Sequence, residues 1–135
     1  MLTRVTQDMY TERDLNDIEE VWFRGYHSDV GGSNNNEGLS DIALYWMFNR
    51  AAACGLVFDP AHVDRANLGR NPATAPKTPG MDLRGNRKRT IRATDQVHVS
   101  VTRIDTAGRF PANNPPQGLE VVDDGGNVLE NGFEE

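Results

Sequence analysis

Residues 22–32, which read W-F-R-G-Y-H-S-D-V-G-G, decide the fold prediction. They overlap an apolar and aromatic run over residues 18–26, and such a run bounded by turn residues predicts a buried strand. His27 follows this run, and the glycines and asparagines of residues 27–38 predict a loop. The sequence therefore predicts a histidine that is presented just after a strand of a sheet.

A helix is predicted next, over residues 41–54. Ser40 suits the N-cap position, and Asp41 suits the positive end of the helix dipole. Apolar side chains recur along one face, namely Ile42, Ala43, Trp46, Met47 and Ala53. Gly55 is a natural helix stop, and Cys54 in this apolar setting predicts a buried, inert thiol.

The pattern weakens further along the chain. Prolines and glycines over residues 61–86 predict an irregular segment. Residues 96–104 regain apolar alternation, which fits either a strand or a short helix that begins near Thr94 or Asp95. Residues 119–129 predict a weak β-hairpin.

Composition limits the partners of this 135-residue chain. Its net charge is −6, its pI is about 5.0 and its mean hydropathy is −0.62. An acidic chain is a poor nucleic-acid ligand, so the basic run over residues 84–92 is predicted to be a solvated loop. No apolar stretch is long enough for a transmembrane segment, and residues 1–10 lack the apolar core of a signal peptide. We therefore expect a cytoplasmic protein or one exported without a signal peptide.

His27 is the strongest candidate for chemistry. An imidazole with an ordinary pKa near ~6.5 can accept and return a proton at neutral pH. A lone histidine in a loop is also often structural or merely exposed, and the residues alone leave both readings open. A metal site on His27 and Asp29 lacks a third ligand at clear spacing, so no metal is predicted.

Four segments carry a resemblance to a known family. They are W-F-R-G-Y-H-S-D-V-G-G at residues 22–32, L-S-D-I-A-L at 39–44, V-H-V-S-V at 97–101 and the proline-rich stretch at 111–116. Together they resemble a family of uncharacterised α/β-hydrolase-like proteins that includes phospholipase effectors of the type VI secretion system.

The resemblance implies that residues 1–58 are the C-terminal piece of an α/β-hydrolase core, with the last core strand, a histidine loop and a helix. Residues 59–135 would be an irregular extension. His27 resembles the triad histidine, which deprotonates the serine and later protonates the leaving group. Asp29, with Gly31 and Gly32, would support its loop, and His98 would be structural or lie near the substrate. No cofactor is implied.

The sequence departs from the family in one respect that matters for activity. The family's serine lies in a G-x-S-x-G elbow, and none of the four serines, Ser28, Ser33, Ser40 and Ser100, has that pattern. We therefore expect a fragment of a serine ester hydrolase of the lipase, esterase or phospholipase kind, inactive alone. Its ester or phospholipid substrate would meet a serine and an aspartate from an upstream hydrolase half. The alternative is a non-catalytic interaction module or a degenerate remnant.

Overall fold

The computed structural model describes residues 18–35, 37–74, 90–103 and 118–129. Its strands are β1 (Val21–Trp22), β2 (Gln96–His98) and β3 (Glu120–Val122). Its helices are α1 (His27–Gly31), α2 (Glu37–Ala53), α3 (Pro60–Gly69) and a 3-10 helix (Val99–Arg103). Most of the predicted basic run and the proline-rich stretch at 111–116 lie outside the described residues.

The three strands form one parallel sheet in the order β1-β2-β3. Trp22 pairs with Val97, and Val97 pairs with Val121 on its other side. Because all three strands run in the same direction, their carboxyl ends meet at one edge of the sheet. A parallel sheet accompanied by helices confirms the predicted α/β class.

The core lies against the central strand. Four buried side chains, Val97, Val101, Leu119 and Val121, form it, and Trp22, Ile91, Val99 and Leu129 pack around them. Valine dominates because its branched side chain suits the pleated surface of a strand. The segment predicted as a strand over residues 18–26 is much shorter, since Gly25 turns the chain away at a φ of 131°.

Helix α2 is the predicted helix, but it begins at Glu37 and ends at Ala53. The predicted N-cap, Ser40, instead lies inside the first turn, where its hydroxyl donates to the carbonyl of Glu37 at 3.0 Å. The buried face carries Leu39, Ile42, Ala43 and Trp46, at the spacing of one helix face. Gly55 adopts the left-handed conformation just beyond the helix, at a φ of 90°.

Two predicted irregular segments contain helices. In the predicted loop, α1 forms because the Asp29 carboxylate accepts the backbone N–H of Tyr26 at 3.0 Å, which satisfies one of the first-turn donors. In the segment predicted as irregular, α3 begins because Asp59 accepts the N–H of Ala61 at 2.9 Å and Pro60 occupies the first helical position. Short capped helices of this kind give little periodic signal.

Helices α2 and α3 pack closely at one point. A Cβ added to Gly69, the last residue of α3, would come within 1.8 Å of Oδ2 of Asp41 on α2. At the other end of α2, Phe48 and Phe58 meet edge to face, with their ring centroids 4.8 Å apart. Cys54 lies at this end and is exposed, so the prediction of a buried thiol was wrong. Ala52 and Ala53, the last residues of α2, are exposed in the same way.

Within the described part of the chain, no helix combines the length and the apolar character that a bilayer span requires.

Candidate functional site

Polar side chains follow each strand at the carboxyl edge of the sheet. His27 comes shortly after β1, His98 is the last residue of β2, and Asp124 lies two residues beyond β3. In open parallel sheets, ligands bind in the crevice outside the carboxyl ends of the strands. This edge is therefore the candidate site, and it contains both predicted histidines.

His27 is the exposed first residue of α1. Two residues on, Asp29 is fully buried, at 0% exposure. The two oxygens of the Asp29 carboxylate accept from Tyr26 N–H at 3.0 Å and from the Asn34 amide at 2.7 Å. The same amide donates to Oγ of Ser28 at 3.0 Å. These bonds hold the turn on both sides of His27, so the imidazole is presented from a fixed backbone.

The glycines of this turn differ in what they permit. A Cβ on Gly25 would lie 2.9 Å from Cβ of Asp29, so only glycine lets the strand end approach α1 this closely. Gly32 ends α1 with a φ of 82°, in the left-handed region. A Cβ on Gly31 would meet nothing within 4 Å, which leaves Gly31 without a steric role.

His98 is only 2% exposed. Its ring stacks on that of Phe23 with centroids 4.9 Å apart. Its Nδ1 lies 2.9 Å from Oγ of Ser100, and its Nε2 lies 3.2 Å from Oδ1 of Asp124. The residue after β1, the end of β2 and the turn after β3 thus meet at one imidazole.

Asp124 divides its two oxygens between His98 and Arg70. Nη1 of Arg70 lies 2.6 Å from Oδ2 of Asp124. The guanidinium is held in turn by Asn67, whose backbone and side-chain oxygens both accept from it. It also lies over the ring of Tyr45, 4.2 Å from the centroid, a cation–π contact. Helices α2 and α3 therefore fix the carboxylate that faces the imidazole.

A cavity of about 180 Å³ opens onto this group. Its polar lining consists of Asn67, Arg70, His98, Ser100 and Asp124, and Ile42 contributes apolar surface. Close by, Arg24 donates to the carbonyl of Val101 at 3.3 Å, and burial lowers the pKa of its guanidinium. That bond ties the segment after β1 to the 3-10 helix.

Sequence reasoning missed most of this second group. Asp124 lies 26 residues beyond His98, and Arg70 lies 54 residues before Asp124, so no local spacing connects them. The one available signal was the His98–Ser100 pair, whose two-residue spacing lets the hydroxyl reach the ring. His62 is exposed on α3 and does not line this cavity. Among the residues with described positions, no group of three or more His, Cys, Asp or Glu side chains could hold a metal ion.

The fold and the site define an α/β protein with ionisable groups collected at the carboxyl edge of a parallel sheet. Residues 2–50, which are 49 of the 135 residues, match the family model of the catalytic domain of Tle1-like phospholipase effectors of the type VI secretion system (T6SS). The matched range contains His27 and Asp29 and ends within α2. It supports the family resemblance seen in the sequence, and it relates the chain to phospholipase effectors.

A match of similar length is found with the uncharacterized protein YEL023C of Saccharomyces cerevisiae, to which the chain is 38% identical over 52 residues. This stretch is 35% of the present chain and 8% of the yeast protein, so the chain corresponds to a small part of that relative. No solved structure matches the chain.

Proposed function

We propose that this chain contributes the histidine and its supporting turn to a serine ester hydrolase that acts on phospholipids or related carboxylic esters. His27 is the general base that takes the proton of a serine, and the general acid that returns it to the leaving alcohol. The serine would be provided by a polypeptide segment outside these 135 residues, in which no G-x-S-x-G elbow occurs.

One observation carries the proposal. His27 is exposed at the carboxyl edge of a parallel sheet, and it lies inside the range that matches a phospholipase catalytic domain. An exposed imidazole can meet a serine and a substrate from another segment, which a buried one cannot do without rearrangement.

The turn around His27 suits this role. A general base must stay within about 2.6–3.2 Å of the proton it accepts, so its backbone has to be fixed. Buried Asp29 does this through Tyr26 and Asn34, and Gly25 allows the close approach. In this proposal Asp29, Gly31 and Gly32 support the loop and do not react, and His98 is a separate, structural or substrate-side residue.

The test is reconstitution of activity. The chain is expressed together with the polypeptide encoded immediately upstream of Met1, and release of fatty acid from phospholipid vesicles is measured. We expect an upstream G-x-S-x-G elbow, activity in the mixture and no phospholipid hydrolysis by the 135 residues alone. His27→Ala should lower kcat by roughly 10³-fold or more, since the base is lost.

His62→Ala is the matched control, because His62 is also an exposed helical histidine but lies outside the matched range. It should leave kcat unchanged. An upstream region without an elbow, or a His27→Ala mixture that keeps its activity, would contradict the proposal.

A second candidate function is a non-catalytic interaction module. It is favoured by the large apolar side chains that α2, α3 and the link between them leave exposed, among them Met47, Leu56, Val57 and Leu68. A module of this kind would bind its hydrolase partner equally well with His27→Ala. Binding without any gain of activity would favour this candidate over the first.

A further inference from the structure

The cavity beside His98 takes no part in the proton transfers proposed for His27. We propose that Ser100, His98 and Asp124 form a second, smaller acyl-transfer site, with Ser100 as its nucleophile and short-chain carboxylic esters as its substrates. This inference does not rest on the proposed function, because all three reacting residues belong to the described chain.

The protonation of His98 follows from the contacts of its Nδ1. The backbone N–H of Ser100 points to Nδ1 at 3.2 Å, so that nitrogen is an acceptor in the neutral ring. The tautomer with its proton on Nε2 is therefore the one that fits. Nδ1 is the proposed base for the hydroxyl of Ser100, whose Oγ lies 2.9 Å away, and the backbone N–H has to turn away from Nδ1 when the proton is transferred.

Asp124 occupies the position of the third group of a triad. Its Oδ1 is 3.2 Å from Nε2 of His98, the nitrogen that carries the proton. The N–H does not point straight at this oxygen, so the contact is electrostatic and not a hydrogen bond. Arg70 holds Asp124 in place through its other oxygen. In the usual triad Nε2 is the base and Nδ1–H faces the carboxylate, whereas here Nδ1 is the base and Nε2–H faces Asp124. The order of the proton transfers is the same.

The cavity decides the substrate class. Both Ser100 and His98 line it, so an ester that enters meets the nucleophile and the base together. Its volume of about 180 Å³ is smaller than the roughly 300–1,000 Å³ of common ligand pockets. A short acyl group fits such a space.

The chemistry is a two-step acyl transfer. In the first step Oγ of Ser100 bonds to the ester carbonyl carbon and its proton passes to Nδ1 of His98. The bond from that carbon to the alkoxide then breaks, and the alkoxide leaves with the proton from Nδ1. Water attacks the acyl-serine in the second step by the same path, which releases the carboxylic acid and restores Ser100.

The experiment exposes the 135-residue chain, alone, to p-nitrophenyl acetate. We expect release of p-nitrophenol, and one acetyl group on the peptide that contains Ser100 when the protein is digested and analysed by mass spectrometry. Ser100→Ala should lose both. His98→Gln should slow acetylation by at least about 100-fold, the usual contribution of a general base.

Ser33→Ala is the control, because Ser33 is exposed and lies outside the cavity. It should behave like the unaltered chain, and circular dichroism compares the folding of all variants. An acetyl group elsewhere in the unaltered chain, or none at all, overturns the proposal whether or not the variants fold. Failure of phospholipid hydrolysis in the reconstituted mixture would leave this result untouched, so the two proposals fail separately.

Discussion

The two histidines at the carboxyl edge of the sheet occupy opposite environments. His27 is exposed on a turn that its neighbours hold, whereas His98 is 2% exposed and is held by Phe23, Ser100 and Asp124 around its own ring. The family resemblance pointed to His27 as the candidate for chemistry, and the packing points to His98. A histidine that serves another segment has to be accessible, while one that serves its own cavity can be buried.

The largest expected effect is a difference in the free energy of unfolding between variants of the two histidines. His98→Ala should lower the free energy of unfolding by about 2–4 kcal/mol, because it removes a buried ring and leaves Asp124 and Ser100 facing the gap. His27→Ala should lower it by less than His98→Ala does, because the side chain of His27 is exposed. Urea unfolding followed by circular dichroism measures both. Equal losses in the two variants would show that the comparison is wrong.

The next effect concerns the turn that carries His27. Gly25→Ala places a methyl group 2.9 Å from Cβ of Asp29 at a φ of 131°, so we expect a loss of about 1–3 kcal/mol. Gly31→Ala is the matched control in the same turn, since its methyl group meets nothing within 4 Å. It should be neutral or slightly stabilising, because alanine favours helix more than glycine does. Thermal unfolding of both variants checks this, and similar Tm values for the two would contradict it.

The smallest effect is a difference in pH dependence between two carboxyl groups. Burial, followed by the charge of Glu37, raises the pKa of Asp41 in α2. Its ionisation therefore disfavours the folded state, and the stability it contributes is lost as pH rises from its ordinary pKa through the raised one. Asp41→Asn should then increase stability at pH 7, by up to about 1 kcal/mol.

The pKa of Asp123, the residue before Asp124, is shifted in the opposite direction. Hydrogen bonds from Asn127 hold its pKa below the ordinary value. Its contribution is present above the ordinary pKa of the unfolded chain and is lost as pH falls through the lowered one. The free energy of unfolding is measured at several pH values between acid and neutral. Asp41→Asn should increase it most at pH values above the raised pKa of Asp41. A gain confined to acid pH would reverse the assignment for Asp41.

The comparison also shows what the sequence could reveal. The family resemblance implied the α/β class. Helix α2 followed from the apolar pattern around Trp46 and from Gly55, because these are local, periodic signals. Helix α1 was predicted as a loop, since its cap depends on Asp29 acting on the residue three positions before it. The His98 cavity depends on residues more than 20 positions apart, and only the fold brings such residues together.

The connection between β1 and β2 has a consequence for how the protein forms. Helices α2 and α3 are neighbours along the chain, while the sheet pairs Val21 with Gln96, across a very long loop. Local contacts form quickly and long loops close slowly, so the helical pair can precede the sheet during folding. His98 then does not reach its final surroundings until this last closure, because Phe23 and Asp124 come from distant segments. The group around His98 would therefore assemble late, and its assembly would report complete folding.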